Sequence, residues 1–283
     1  MIISEALRQG TRLIKSSGSD EARLEAELLL MHALKTDRVH LYERLREEMP
    51  VRAGGYYRRL LDRRLAHEPT PYIVGHKEFF GLEFEVTRSA LIPRPETETL
   101  VELAIGFARD RYANGRCTIA DVGAGSGVIA VALACELPNA RVIATDVSKR
   151  ALALARRNAA RHGVAARIEF VEGDTLLPIE GRAEIIATNL PYVTTEDWLA
   201  APPEIREREP RRALDGGADG LRYIRRLLRQ APEKLAGNGA LFAEIGDRQG
   251  EIARSLAGEC FPAAEVEVRP DLAGRDRVLC VYA

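Results

Sequence analysis

From Thr118 onward, short runs of β-branched and apolar residues alternate with stretches of helical periodicity, and no other feature restricts the fold as much. The runs near Thr118 to Val122, Arg141 to Asp146, Ile168 to Glu172, Glu184 to Thr188, Ala240 to Ile245, Ala264 to Arg269 and Val278 to Tyr282 read as strands. Strands that each return through a helix run mostly parallel, so the expected architecture is a doubly wound α/β sheet. The ligand edge of such a sheet is its carboxyl edge, and the ends of these strands are where chemistry is to be sought.

The chain before this region reads differently. Ser4 to about His67 is helical in pattern, with Leu24, Leu28, Leu29, Met31 and Leu34, then Tyr57, Leu60, Leu61 and Leu65, at intervals of three and four. Ser19 and Asp20 are the expected caps of the second helix. Pro69-Thr70-Pro71 breaks the period, and Phe79 to Val86 reads as a hairpin with Gly81 near its turn. A long helix is expected from the Ile92-Pro93-Arg94-Pro95-Glu96-Thr97-Glu98 segment to about Tyr112, with Pro95 in its first turn. These changes predict a helical domain over residues 1–75, a β-hairpin linker over 76–93 and the α/β domain over 94–283. One segment, Val193 to about Ala218, shows neither period, carries Pro202, Pro203 and Pro210, and is expected to be a functional loop.

Charge excludes some functions. The 41 basic residues nearly cancel the 42 acidic ones, so no global field draws the molecule to nucleic acid or membrane. Arg206, Arg208, Arg211 and Arg212 can be read as a phosphate track or an acidic-partner contact, but Glu204, Glu207 and Glu209 interleave with them, which favours a solvated charged loop. Cys117, Cys135, Cys260 and Cys280 are far apart and lie in apolar runs, which reads as reduced core thiols, with no metal site expected. The first residues lack the apolar core of a signal peptide, and no apolar stretch is of membrane-spanning length. The expected setting is cytoplasmic, with a monomer as the default.

At the carboxyl end of the first sheet strand, Asp121-Val122-Gly123-Ala124-Gly125-Ser126-Gly127 opens a helix, aiming backbone N–H groups and the helix dipole at a ligand. Asp146 closes the second strand, where an acidic residue meets ribose hydroxyls in nucleotide-binding sheets; alternatively it starts the following helix. Asp174 and Thr175 follow the third strand and either flank an adenine ring or form a plain turn. The G-x-G-x-G spacing departs from the G-x-G-x-x-G of dinucleotide sites, which weakens NAD as the ligand.

The fourth strand runs straight into Asn189-Leu190-Pro191-Tyr192. The side-chain oxygen of Asn189 and the backbone carbonyl of Leu190 can accept both hydrogens of a planar NH2 group, with Tyr192 covering it. Such a nitrogen has a delocalised lone pair, so it attacks only when the site aligns it and stabilises the charge that develops.

The chain resembles the PrmC/HemK protein-glutamine N5-methyltransferases over nearly its whole length. The resemblance rests on Tyr72-Ile73-Val74-Gly75 with Phe79 and Gly81, on Leu91 to Glu98, and on Asn189 to Tyr192. It continues through Arg212 to Gly217 with Asp219-Gly220-Leu221, Glu244-Ile245-Gly246 with Gln249, and Asp271 to Arg277. It implies a class I methyltransferase, Rossmann-like, seven-stranded sheet behind a helical domain that recognises substrate. It also implies S-adenosylmethionine as cofactor, contacted by Asp121, Gly123, Ala124, Gly125, Ser126, Gly127, Asp146, Asp174, Thr175 and Asn189. The implied substrate is the glutamine of the Gly-Gly-Gln loop of class I release factors, held by Asn189, Leu190, Pro191 and Tyr192, without stable nucleic-acid binding. Leu190 stands where many members have proline, yet Pro191 still restrains it to extended geometry. Pro71 stands in the linker where the family commonly has glutamine. The competing reading is a DNA or RNA methyltransferase acting on an exocyclic amine, since such enzymes use a similar Asn-x-Pro-Tyr motif.

Overall fold

In a computed structural model, which describes residues 1–112, 114 and 116–283, every predicted strand forms. The chain divides into two compact units, Met1–His76 with Pro202–Arg208, and Lys77–Ala201 with Glu209–Ala283. No helix among the described residues is long and apolar enough to cross a membrane.

The first unit is built on helices α1 (Ile3–Ser16), α2 (Ala22–Leu34), α3 (Arg38–Glu43), α4 (Val51–Leu65) and α5 (Thr70–Val74). Ile3, Leu7, Ile14, Leu29, Leu30, Leu41 and Leu60 fill its core. The buried side of α2 includes Ala26, Leu29, Leu30 and Ala33, whereas Leu24 is 42% exposed. Small alanines let α2 approach its neighbours, so the larger leucines are not the guide to its inward side. The caps also differ from expectation. Helix α2 starts after Glu21 without a side-chain cap, and Ser19 instead bonds the Glu25 carboxylate, which Arg64 and Thr70 also engage.

In the second unit, β1 (His76–Phe79) and β2 (Leu82–Glu85) form the predicted hairpin, and α6 (Thr97–Arg111) follows. Helix α6 begins after Glu96, so Pro95 precedes the first turn it was expected to occupy. Then come β3 (Thr118–Val122), α7 (Val128–Glu136), β4 (Arg141–Asp146), α8 (Lys149–Arg161), β5 (Ile168–Glu172) and β6 (Ala183–Thr188). The Val193 to Ala218 segment is not featureless: it holds α9 (Thr195–Ala200), α10 (Pro203–Arg206), which counts with the first unit, and the 3-10 turn Arg211–Ala213. Helices this short complete too few turns to show an amphipathic period. Helix α11 (Arg222–Lys234), β7 (Leu235–Glu244), α12 (Gly250–Cys260), β8 (Glu265–Pro270) and β9 (Asp276–Tyr282) complete the unit.

The seven strands lie in the order β5-β4-β3-β6-β7-β9-β8. Five of them pair in parallel and β9 runs antiparallel to both β7 and β8. From β3 the chain winds outward to β4 and β5, then crosses back to place β6 on the other side of β3. That reversal is the topological switch point, where two loops diverge and leave a crevice at the carboxyl ends. Helices α6, α7 and α8 cover one face around Leu100, Ile129 and Leu133, and α11 and α12 cover the other around Leu227, Leu228 and Ala253. Cys117 and Cys280 are buried, Cys135 and Cys260 half-buried, and none of the four forms a disulfide among the described residues.

Candidate active site

The two strands flanking the switch point, β3 and β6, carry the glycine turn and the Asn189 motif at adjacent ends. Thr188 Oγ1 donates to Val122 O at 2.6 Å, tying the two strand ends together below the crevice. Above β3, the N–H groups of Gly123 and Ala124 both donate to Thr145 O at the end of β4. Gly123, Gly125 and Gly127 have φ of 77°, 55° and 82°, the left-handed region in which a side chain is strained. A Cβ on Gly123 would lie 2.9 Å from Leu190 Cδ2. Leu190, buried against the turn, thus fills space that only a glycine leaves.

A cavity of about 140 Å³ opens here, lined by Gly123, Gly125, Asp146, Asp174, Thr175, Asn189, Leu190 and Pro191 among the predicted residues. Its wall also includes Ser89, Ala90, Arg212 and Tyr223, which sequence reasoning did not assign to the cofactor. Asp121, Ala124, Ser126, Gly127 and Tyr192 are not on this wall. Asp121 is fully buried, accepts from Ala130 N–H at 3.0 Å through Oδ2, and leaves Oδ1 without a partner. Burial, with Asp146 nearby, pushes its pKa up to about 7. Gly127 backs onto Ala155 of α8, and Asn158 of the same helix donates to Ser126 O, so these residues shape the turn from behind.

The Asp146 carboxylate accepts from Gly125 N–H at 2.9 Å and from Ser148 N–H at 2.7 Å. Each oxygen keeps a lone pair free: Asp146 orders the turn into α8 and also lines the cavity. Burial raises its pKa against these hydrogen bonds. Asp174 pairs with Arg226, and Thr175 donates to Gln230 Oε1 at 2.7 Å, which pins the third corner to α11. Of the loop arginines, Arg208 donates to Ala66 O, Arg211 bonds Asp215 and stacks 4.2 Å from the Trp198 ring centroid, and Arg212 lines the cavity.

At the other end of the cavity, Asn189 is half-buried and its Nδ2 donates to Thr97 Oγ1 at 2.9 Å. Thr97 Oγ1 donates onward to Glu244 Oε2 at 2.6 Å, and the Tyr192 hydroxyl donates to Glu244 Oε1 at 2.9 Å. Tyr192 is thus anchored by its hydroxyl on Glu244. Glu244 has no exposure, and burial raises its pKa while the two hydroxyls and Arg277 oppose that rise. Gln249 fixes the strand-end loop from outside, donating to Tyr192 O at 2.9 Å and Asp219 O at 3.2 Å. Thr97, Glu244 and Gln249 are visible in the sequence only as motif letters, because their partners come from three separate elements.

These residues suit an adenosyl sulfonium cofactor: a cradle kept open by glycines and, on the cavity wall, an acidic residue, Asp146, with spare acceptors. The PrmC N-terminal domain family matches residues 5–75, and the Methyltransferase small domain family matches residues 110–201. The release factor glutamine methyltransferase of Moorella thermoacetica is 42% identical over 285 residues, covering 100% of this chain and 99% of that one. That of Cereibacter sphaeroides is 40% identical over 279 residues, with 99% and 98% covered. A methyltransferase structure from Pyrococcus furiosus superposes with a TM-score of 0.52 at 17% identity, covering 73% of this chain and 91% of the other, and bears on the fold alone. By full-length identity to these relatives, on a sheet whose switch point carries the glycine turn and the asparagine motif, the chain belongs to the release factor glutamine methyltransferase family.

Proposed function

We propose that this chain transfers a methyl group from S-adenosylmethionine to the side-chain nitrogen, N5, of the glutamine in the Gly-Gly-Gln motif of class I release factors. The observation that carries the reading is the orientation of Asn189. Its NH2 is committed to Thr97, and among the described residues no group donates to its Oδ1. A free carboxamide oxygen at the cavity wall is what an incoming NH2 group requires.

When bound, the cofactor supplies a methyl carbon on a positively charged sulfur, which leaves as a neutral thioether as the N–C bond forms. Asn189 Oδ1 and the Leu190 carbonyl accept the two N–H hydrogens of the glutamine amide, which orients the nitrogen lone pair and stabilises the positive charge that grows on it. Methylation acidifies the nitrogen, so its proton passes to solvent afterwards and no general base of matched pKa is required. Pro191 holds Leu190 extended and Tyr192, fixed on Glu244, anchors the loop beyond. Asp146 would accept from the ribose hydroxyls, Asp174 and Thr175 would hold the adenine, and the Gly123–Gly127 turn would hold the methionine end. The helical region recognises the release factor, and the enzyme acts as a cytoplasmic monomer.

The test is to incubate the protein with methyl-labelled cofactor and separate pools of release factor, DNA and RNA, then map the label. Label on the Gly-Gly-Gln glutamine is expected; label on a base amine would replace this reading with the nucleic-acid one. Asn189→Ala is expected to abolish turnover while leaving cofactor Kd, measured by calorimetry, within about threefold, because Asn189 acts mainly on the nucleophile.

A further inference from the structure

A carboxamide is nearly symmetric in shape but not in chemistry. Its oxygen accepts and its NH2 donates, and a half-turn about the last side-chain bond exchanges them. Only one of the two orientations of Asn189 can hold a substrate NH2 group. The other presents hydrogens to hydrogens. Something must therefore choose between them, and the backbone at the end of β6 cannot, because it fixes the position of Asn189 and not the rotation of its amide.

The neighbours of Asn189 can make that choice. Thr97 is the first residue of α6 and is 2% exposed, and Glu244, the last residue of β7, is 0% exposed. The Thr97 hydroxyl has a single proton, and Glu244 Oε2, at 2.6 Å, is placed to accept it. With that proton spent, the Thr97 oxygen can only accept, and at 2.9 Å from Asn189 it takes a hydrogen from Nδ2. Rotating the amide would set two acceptor oxygens against each other in a buried place with no hydrogen between them. Glu244 also receives the Tyr192 hydroxyl through its second oxygen at 2.9 Å, so its carboxyl group is itself held in place.

We propose that Thr97, anchored by Glu244, is a positioning residue that sets the orientation of the Asn189 carboxamide and so presents Oδ1 to the substrate nitrogen. This rests on the glutamine-amide reading above. Thr97 does not touch the substrate; it acts through Asn189. Its removal lowers the fraction of enzyme in the productive orientation, which lowers kcat and leaves the binding of the cofactor and of the bulk of the protein substrate unaffected.

The experiment compares the full-length enzyme with its Thr97→Val, Thr97→Ser and Asn189→Ala variants, using S-adenosylmethionine and a release factor as acceptor. Thr97→Val is expected to lower kcat about tenfold, the size of one net hydrogen bond, with KM for the release factor and calorimetric Kd for the cofactor both within about threefold. Thr97→Ser keeps the hydroxyl and is expected to stay within about threefold of the parent in kcat. A readout independent of turnover is side-chain amide exchange of Asn189 in nitrogen-15-labelled protein, protected in the parent and Thr97→Ser and fast in Thr97→Val. Should Thr97→Val fail to fold, Thr97→Ala removes the same hydroxyl without bulk and carries the same expectation. Parental kcat in Thr97→Val beside an inactive Asn189→Ala would overturn the positioning role and leave the glutamine reading intact. Thr97→Ser as slow as Thr97→Val would also overturn it, since shape and not the hydroxyl would then matter. Activity in Asn189→Ala would remove the glutamine reading itself.

Discussion

Asp121→Asn should stabilise the protein more at alkaline than at acid pH, by an amount that the burial of this side chain sets. Asp121 is fully enclosed, one oxygen accepts from Ala130 N–H, the other has no partner, and its pKa is pushed from 3.8 up to about 7. In the unfolded chain the group ionises near its ordinary value; in the folded chain it keeps its proton until about pH 7. Between those values the folded state binds the extra proton, so this group's contribution to stability is complete below the unfolded pKa and is lost as pH rises through the folded one. Asparagine keeps an oxygen for Ala130 and carries no charge at any pH. Its own burial cost is constant with pH and cancels when two pH values are compared. Of the interval between pH 5 and pH 8, the portion up to about pH 7 counts, and at ~1.4 kcal/mol per pH unit this gives about 2.5–3 kcal/mol. The stability difference, variant minus parent, should therefore be larger at pH 8 than at pH 5 by roughly that amount. Urea unfolding without cofactor, followed by fluorescence of Trp198, the single tryptophan, measures it. A difference that is flat across this range, or that grows on acidification, would refute the claim that Asp121 is an uncompensated buried carboxylate.

Two further outcomes follow from the same cradle. Asp146→Ala removes the acceptor that orders Gly125 and Ser148 and is expected to raise the cofactor Kd at least about tenfold, the worth of a hydrogen bond to a charged group; an unchanged Kd in calorimetry removes its ribose role. Gly127→Ala places a Cβ 2.8 Å from Ala155 Cβ at a φ of 82° and is expected to cost about 2–4 kcal/mol. Thermal unfolding should show this as a midpoint lower by about 5–15 °C, and an unshifted midpoint would mean that α8 yields freely.

The strands were legible because each is a short apolar run closed by a polar or glycine residue, and β3, β4 and β5 begin and end where the pattern places them. Strand β7 begins earlier, at Leu235, because Gly237, Asn238 and Gly239 carry no strand signal and the pairing with β6 shifts register there. The candidate site was legible as far as chain position alone could carry it. Asp146 closes β4 and Asn189 directly follows β6, and the carboxyl edge of such a sheet is where ligands sit. The role of Thr97 was not legible, since its meaning lies in a helix start meeting the ends of β6 and β7. The buried side of α2 was not legible for a related reason: alanines mark close helix packing but add little to an apolar period.

The neighbouring positions of β3 and β6 have a consequence for how the protein is made. Ile119 pairs with Ile185, and between them the chain must lay down β4 and β5 on the far side of β3. Closing so long a loop carries an entropic cost that local contacts do not repay, and contacts of this kind slow folding. A ribosome that has released only the residues before Ala183 has emitted the whole glycine cradle and none of the asparagine clamp. Catalytic competence is thus acquired late in synthesis, and even Glu244, on which the clamp leans, emerges after Asn189 itself.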